Sequence, residues 1–70
     1  MRCEALHECY TSAASMLQTA GTAYQSAASL YSLGNYDGRM TEIELATTAC
    51  ESATDYLDKA ALIIAEIQNQ

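Results

Sequence analysis

The sequence predicts an all-α fold, an antiparallel helical hairpin that is rich in alanine and resembles a coiled coil, and three observations predict it. Apolar residues recur with an unbroken four-three spacing along two long segments, proline is absent, and only one stretch gathers turn-forming residues. Seventy residues make a single small domain, 1–70, and many of its apolar residues are alanine, so the core volume is modest.

The first element is organised around Tyr10-Thr-Ser-Ala-Ala-Ser-Met-Leu17, which returns fourteen residues later as Tyr24-Gln-Ser-Ala-Ala-Ser-Leu-Tyr31. Two heptads keep equivalent side chains on the same face of a helix. Tyr10, Leu17, Tyr24 and Tyr31 take the a positions of a heptad lettered a to g, and Leu6, Ala13, Ala20 and Ala27 take the d positions. The helix runs from about residue 2 to about residue 33. Gly21 interrupts it at a cost of about 1 kcal/mol relative to alanine, and it marks either a close helix contact or a break near Ala20-Gly21-Thr22. The seam keeps its phase through Gly21, which favours continuity. The outer positions are Ser, Thr and Gln, mediocre helix formers, so packing rather than propensity must hold this helix.

Gly34-Asn35-Tyr36-Asp37-Gly38-Arg39 is the turn, 34–39, with Gly34 suited to a left-handed C-terminal cap. Thr41 followed by Glu44 reads as a capping box, which starts the second helix near Met40 or Thr41 and carries it over about residues 40–68. There Ile43, Cys50, Leu57 and Ile64 occupy a, and Ala46, Ala53, Ala60 and Ile67 occupy d. Folding the chain back pairs Leu6 with Ile67, Ala13 with Ala60, Ala20 with Ala53 and Ala27 with Ala46. The same register pairs Tyr10 with Ile64, Leu17 with Leu57, Tyr24 with Cys50 and Tyr31 with Ile43. It puts the fold point at Tyr36–Asp37, inside the turn, so heptad phase and turn chemistry agree. Facing alanines let the backbones approach closely while the large a residues lock over them.

An a/d seam leaves two flanks. The g flank pairs Cys9 with Ile63, Met16 with Tyr56, Ala23 with Ala49 and Leu30 with Glu42, while the e flank is small and mixed. A bulky apolar flank marks an interface, and the run Leu62-Ile63-Ile64 adds to it because three consecutive residues cannot face one helix. Cys9, Met16, Leu30, Tyr56, Leu62 and Ile63 are therefore the expected partner-binding residues. Three coverings are open: a second copy in a homodimeric four-helix bundle, a different protein, or an N-terminal segment folded over after a break at Gly21.

Charge and chemistry narrow the function classes. The net charge of −6 argues against nucleic acid and anionic membrane surfaces as partners. Seven of the nine acids, with Arg39 and Lys59, lie in residues 37–70, and none of the residues between Cys9 and Tyr36 is charged. Ser, Thr and Gln interrupt that stretch too often for a membrane span, and no charged n-region with an apolar h-region opens the chain. Cys3, Cys9 and Cys50 form no metal knuckle and no even disulfide set, which fits a reducing, cytoplasmic location. Glu4-Ala-Leu-His7 has the Glu-x-x-His spacing of di-iron bundles, but it stands once, at b and e, with no inward carboxylates to complete it, so neither a metal nor another cofactor is expected. With one histidine and no phosphate-binding glycine loop, the chain offers no catalytic residues and reads as a non-enzyme. Cys50 reads as a small core residue, Tyr36 as an aromatic at the turn, and Glu51, Asp55, Asp58 and Glu66 as a solvated acidic stripe.

The segment Leu30-Tyr-Ser-Leu-Gly-Asn-Tyr-Asp37 resembles the inter-helix turn of tetratricopeptide repeats, over that one turn and without the 34-residue period. In size and hairpin shape the chain resembles small bacterial secretion proteins. Its turn lacks the proline of needle subunits and the Trp-x-Gly of the secreted hairpin dimers, which leaves their co-chaperones as an analogue in architecture alone. The reading that emerges is a non-enzymatic helical interaction module, a small chaperone or adapter that covers a helical partner. A self-sufficient homodimeric four-helix bundle, structural or regulatory, is the alternative.

Overall fold

A computed structural model of the chain describes residues 2–69. It is a hairpin of two helices, α1 (Arg2–Ser32) and α2 (Tyr36–Gln68), packed against each other along their length. The molecule measures 55 × 13 × 11 Å, with a radius of gyration of 16.0 Å. A globular domain of this length would have a radius near 11 Å, so the hairpin is a rod with little interior.

α1 is unbroken for 31 residues, and the seam's constant phase through Gly21 is the reason. The alternative expectation, a close contact at Gly21, is not met: a Cβ added there would have no neighbour within 4 Å. The three-helix arrangement that a break at this glycine would have produced is absent.

The turn is tighter than expected. Gly34 adopts φ +76°, a left-handed conformation that side chains with a Cβ tolerate poorly. Its N–H donates to the Tyr31 carbonyl at 3.0 Å, and the Asn35 N–H donates to the Leu30 carbonyl at 2.9 Å. These two bonds make a Schellman motif, which satisfies the last carbonyls of α1. Asn35 then serves both helices, because its Oδ1 accepts the Gly38 N–H at 2.9 Å and so caps the start of α2. A Cβ at Gly38 would come within 2.9 Å of that Oδ1, so glycine here gives the cap room. The second helix therefore begins at Tyr36, ahead of the expected 40, and the connection shrinks from 34–39 to residues 33–35. The Thr41–Glu44 capping box is corrected too: Thr41 lies inside the helix and donates its hydroxyl to the Asp37 carbonyl at 3.1 Å. The Asn35 cap lies upstream of it and leaves it no free helix end to close.

Packing confirms the alanine stripe and revises its companion. Ala13, Ala20, Ala27, Ala46, Ala53 and Ala60, all at d, are buried. The second buried row is g, where the sequence reading placed a. Cys9, Ala23, Ala49 and Ile63 are buried, and Met16, Leu30 and Tyr56 are half-buried. Ala20 and Ala23 cluster with Ala46 and Ala49, and Cys9 clusters with Ala60 and Ile63. The antiparallel arrangement holds, with both helices rolled so that d and g meet, but the expected d pairs are corrected. Ala20 groups with Ala46 and Ala49 rather than with Ala53, and Leu6 packs beside Cys9, Ala60 and Ile63 rather than against Ile67, because the connection at residues 33–35 moves the fold point back from Tyr36–Asp37.

The cause is steric. Only small side chains let two helix axes come close, and the positions that are small on both helices lie at d and at the middle of g, Ala23 and Ala49, whereas row e is small at Ala14, Gly21 and Ala28 of α1 but carries Thr47, Thr54 and Gln68 on α2. Bringing the a row inward would wedge Tyr10, Leu17 and Tyr24 into that approach. They turn outward instead. No large side chain is fully buried among the described residues.

Polar contacts fasten both ends. Arg2 and Glu66 pair at 2.6 Å across the open end, and exposed pairs of this kind contribute only about 0–1 kcal/mol. At the closed end the Arg39 guanidinium lies over the rings of Tyr31, at 5.1 Å, and Tyr36, at 4.8 Å. Tyr36, expected as an aromatic at the turn, is exposed beneath that arginine. Lys59 likewise covers the Tyr56 ring at 5.4 Å.

Candidate interaction face

The d/g seam gives the flat hairpin two unlike broad faces. Position a borders d on each helix and c borders g, so the two a rows share one face and the two c rows share the other. The c face carries Ala5, Ser12, Thr19, Ser26, Leu45, Ser52, Lys59 and Glu66, a mostly polar set. A shallow groove runs along it between Thr19, Ala23, Ser26, Glu42 and Leu45.

The a face is different. Tyr10, Leu17, Tyr24, Tyr31, Leu57 and Ile64 stand on it with 36% to 68% of their surface exposed, while Ile43 and Cys50 are half-buried at its centre line. Its e positions are small or polar: Ala14, Gly21 and Ala28 on α1, and Thr47, Thr54, Ala61 and Gln68 on α2. Thr47 and Thr54 donate their hydroxyls to the Ile43 and Cys50 carbonyls, at 3.0 and 3.1 Å. These donors are thus satisfied within the helix, and the face can lose water without orphaning them. No Asp, Glu, Lys or Arg occupies a or e in either helix. The charges stand aside, with Glu44, Glu51 and Asp58 forming an exposed row at b along the outer edge of α2.

The structure places the expected partner-binding residues in three different settings. Cys9, 9% exposed, and Ile63, 8% exposed, fill the contact between the two helices and are not available to a partner. Met16, Leu30 and Tyr56 border that same contact, half-buried. Leu62 is exposed at 66%, on the outer side at f, away from the a face. The residues that sequence reasoning assigned to the interior, Tyr10, Leu17, Tyr24, Tyr31, Leu57 and Ile64, are the exposed apolar ones. One sequence signal pointed this way: Ala23 faces Ala49 in the g row, as small a pair as any in d.

The remaining candidate chemistry is sparse. His7 Nε2 lies 3.5 Å from the Thr11 hydroxyl on exposed surface, and Glu4 does not join it. Among the described residues no three His, Cys, Asp or Glu side chains come together in a way that could hold a metal ion. All three cysteines are free: Cys3 exposed, Cys9 buried, Cys50 half-buried. Among the described residues no helix is long and apolar enough to cross a membrane. No family model, no curated protein and no solved structure matches the chain.

Proposed function

We propose that this chain is a non-catalytic helical interaction module, of the kind that serves as a small chaperone or adapter, and that it works by laying its a face against further helices. One observation carries the reading: two rows of large apolar side chains stand exposed on one uncharged face, above a core made almost wholly of alanine. Such a core contributes little, since alanine burial removes far less apolar area than leucine or isoleucine burial. Covering the a face would supply the missing area. The uncharged face with its threonine donors satisfied, the lack among the described residues of a cluster of His, Cys, Asp and Glu that could hold a metal ion, and the helical scaffold all suit binding rather than turnover. Three free thiols suit a reducing compartment such as the cytoplasm.

The experiment compares two paired substitutions in the full chain. Leu17→Lys with Leu57→Lys places charge on the a face, and Thr19→Lys with Ser52→Lys places it on the c face. The reading predicts that every association of the chain, with itself or with proteins recovered from its native source, is lost in the first variant and kept in the second. Association that survives the a-face pair and fails with the c-face pair would refute it.

A further inference from the structure

Resting on that reading, we infer that the occupant of the a face is a second copy of this chain, seated with the two turns at the same end to make an antiparallel four-helix bundle. Area comes first. A globular protein of 7.5 kDa exposes about 4,200 Å², whereas the hairpin exposes 5043 Å². The excess is about 800 Å², which is what one partner contributes to a stable interface of ordinary size. Two copies meeting through this face would each lose about the surface that sets the hairpin apart from a compact monomer.

Charge selects the partner. A chain with a net charge of −6 repels its copies unless the contact keeps the acids out, and the a and e rows hold none. A basic partner would find no acid on this face to pair with. Shape agrees, since α1 alternates large and small residues along the face: Tyr10, Ala14, Leu17, Gly21, Tyr24, Ala28, Tyr31. A two-fold contact needs a surface that complements itself, with bulky residues of one copy entering small positions of the other. Gly21, where an added Cβ would have no neighbour within 4 Å, is the smallest such position.

The rims then choose between the two possible two-fold arrangements. With turns at opposite ends, α2 lies over α2 and the row Glu44, Glu51, Asp58 meets its own copy. With turns at the same end, α2 lies over α1 of the other copy, and those acids meet Thr11, Gln18 and Gln25, the stretch of row b that carries no charge, with its one acid, Glu4, set toward the open end. Like charges placed opposite one another at an interface are costly, so the second arrangement is the one assigned.

The test measures the full chain by sedimentation and by concentration-dependent melting. The wild type is expected as a dimer whose melting temperature rises with protein concentration. Gly21→Lys improves helix propensity while driving a charged side chain into the face, so it is expected to weaken self-association by about 100-fold or more without loss of helix in the monomer. Spin labels on Cys3, with Cys9→Ala and Cys50→Ala, place the copies: within about 25 Å for turns at one end, near the 55 Å molecular length for opposite ends. A wild type that stays monomeric and gains helix only when a foreign protein covers the a face would overturn the self-pairing and leave the module reading standing. A monomer that is equally stable with Leu17→Lys and Leu57→Lys would overturn both. A dimer indifferent to Gly21→Lys, or labels near the full molecular length, would overturn the arrangement.

Discussion

Replacing Ala46 with leucine tests how closely the two helices approach. Ala46 is fully buried among Ala20, Ala23 and Ala49. Were there space, the added carbons would stabilise the fold by about 0.8 kcal/mol for each CH₂ buried, a little over 2 kcal/mol in all. There is no space. All three of its neighbours in the buried cluster are alanines, so none can swing to another rotamer, and only a separation of the helices makes room. Overpacking of this kind costs about 1–3 kcal/mol, so the sign of the effect, not merely its size, is at stake. For a chain of this length the urea dependence of stability is about 1 kcal/mol per molar, and the midpoint should fall by about 1–3 M. The assay is urea unfolding followed by helix ellipticity at 222 nm, with protein concentration held fixed because association shifts the midpoint. Ser29→Leu, on the exposed outer side of α1, serves as the control and should move the midpoint little. An unchanged or raised midpoint for Ala46→Leu would mean that the helices do not meet through their alanines.

Three further outcomes follow from the turn and the sparse chemistry. Gly34→Ala forces a Cβ into a left-handed residue and should destabilise by about 1 kcal/mol, although no atom obstructs it; a stabilised variant in the same urea assay would contradict the Schellman turn. Asn35→Ala removes the side-chain acceptor that caps α2 and should cost about 1 kcal/mol, whereas Thr41→Ala should cost much less, since its hydroxyl only bonds back along the helix; equal losses would restore the Thr41 cap. His7→Ala should leave the melting temperature unchanged, and elemental analysis of the purified protein should find no stoichiometric zinc or iron; a bound metal lost in that variant would overturn the non-catalytic reading.

Much of the architecture was legible because it is written twice. The heptad periodicity of both helices and the chemistry of Gly34-Asn35 both call for one turn near the middle of the chain, although the phase put the fold point at Tyr36–Asp37, which are the first residues of α2. The unbroken phase through Gly21 correctly carries α1 past a residue that could have ended it. Two details were not legible, for physical reasons. The start of α2 was masked by a second, equally well-formed signal, Thr41 with Glu44. Sequence pattern cannot rank two caps, whereas a chain that meets Asn35 first closes its helix there. The rolling of the seam from a/d to d/g was hidden by size, because burying the tyrosines and leucines of row a looks more favourable residue by residue. In a lone pair of helices the contact is one narrow stripe, and the closeness of approach, set by Ala20, Ala23, Ala46 and Ala49, decides what fits beside it. The exposed face follows from that choice, and so does the identity of the candidate site.

The native cysteines allow the most direct check on the central claim, that the helices meet through d and g and leave row a for another helical surface. Alkylation rates of Cys3, Cys9 and Cys50, read by mass spectrometry in the folded full chain and normalised to the urea-unfolded chain, report all three environments at once. The account predicts fast reaction at exposed Cys3 and strong protection at Cys9 under every native condition. Cys50 should be protected while the a face is covered and should speed up on dilution or in Gly21→Lys. Reaction at Cys9 that matches Cys3, or a Cys9 that becomes exposed together with Cys50 when association is broken, would contradict it.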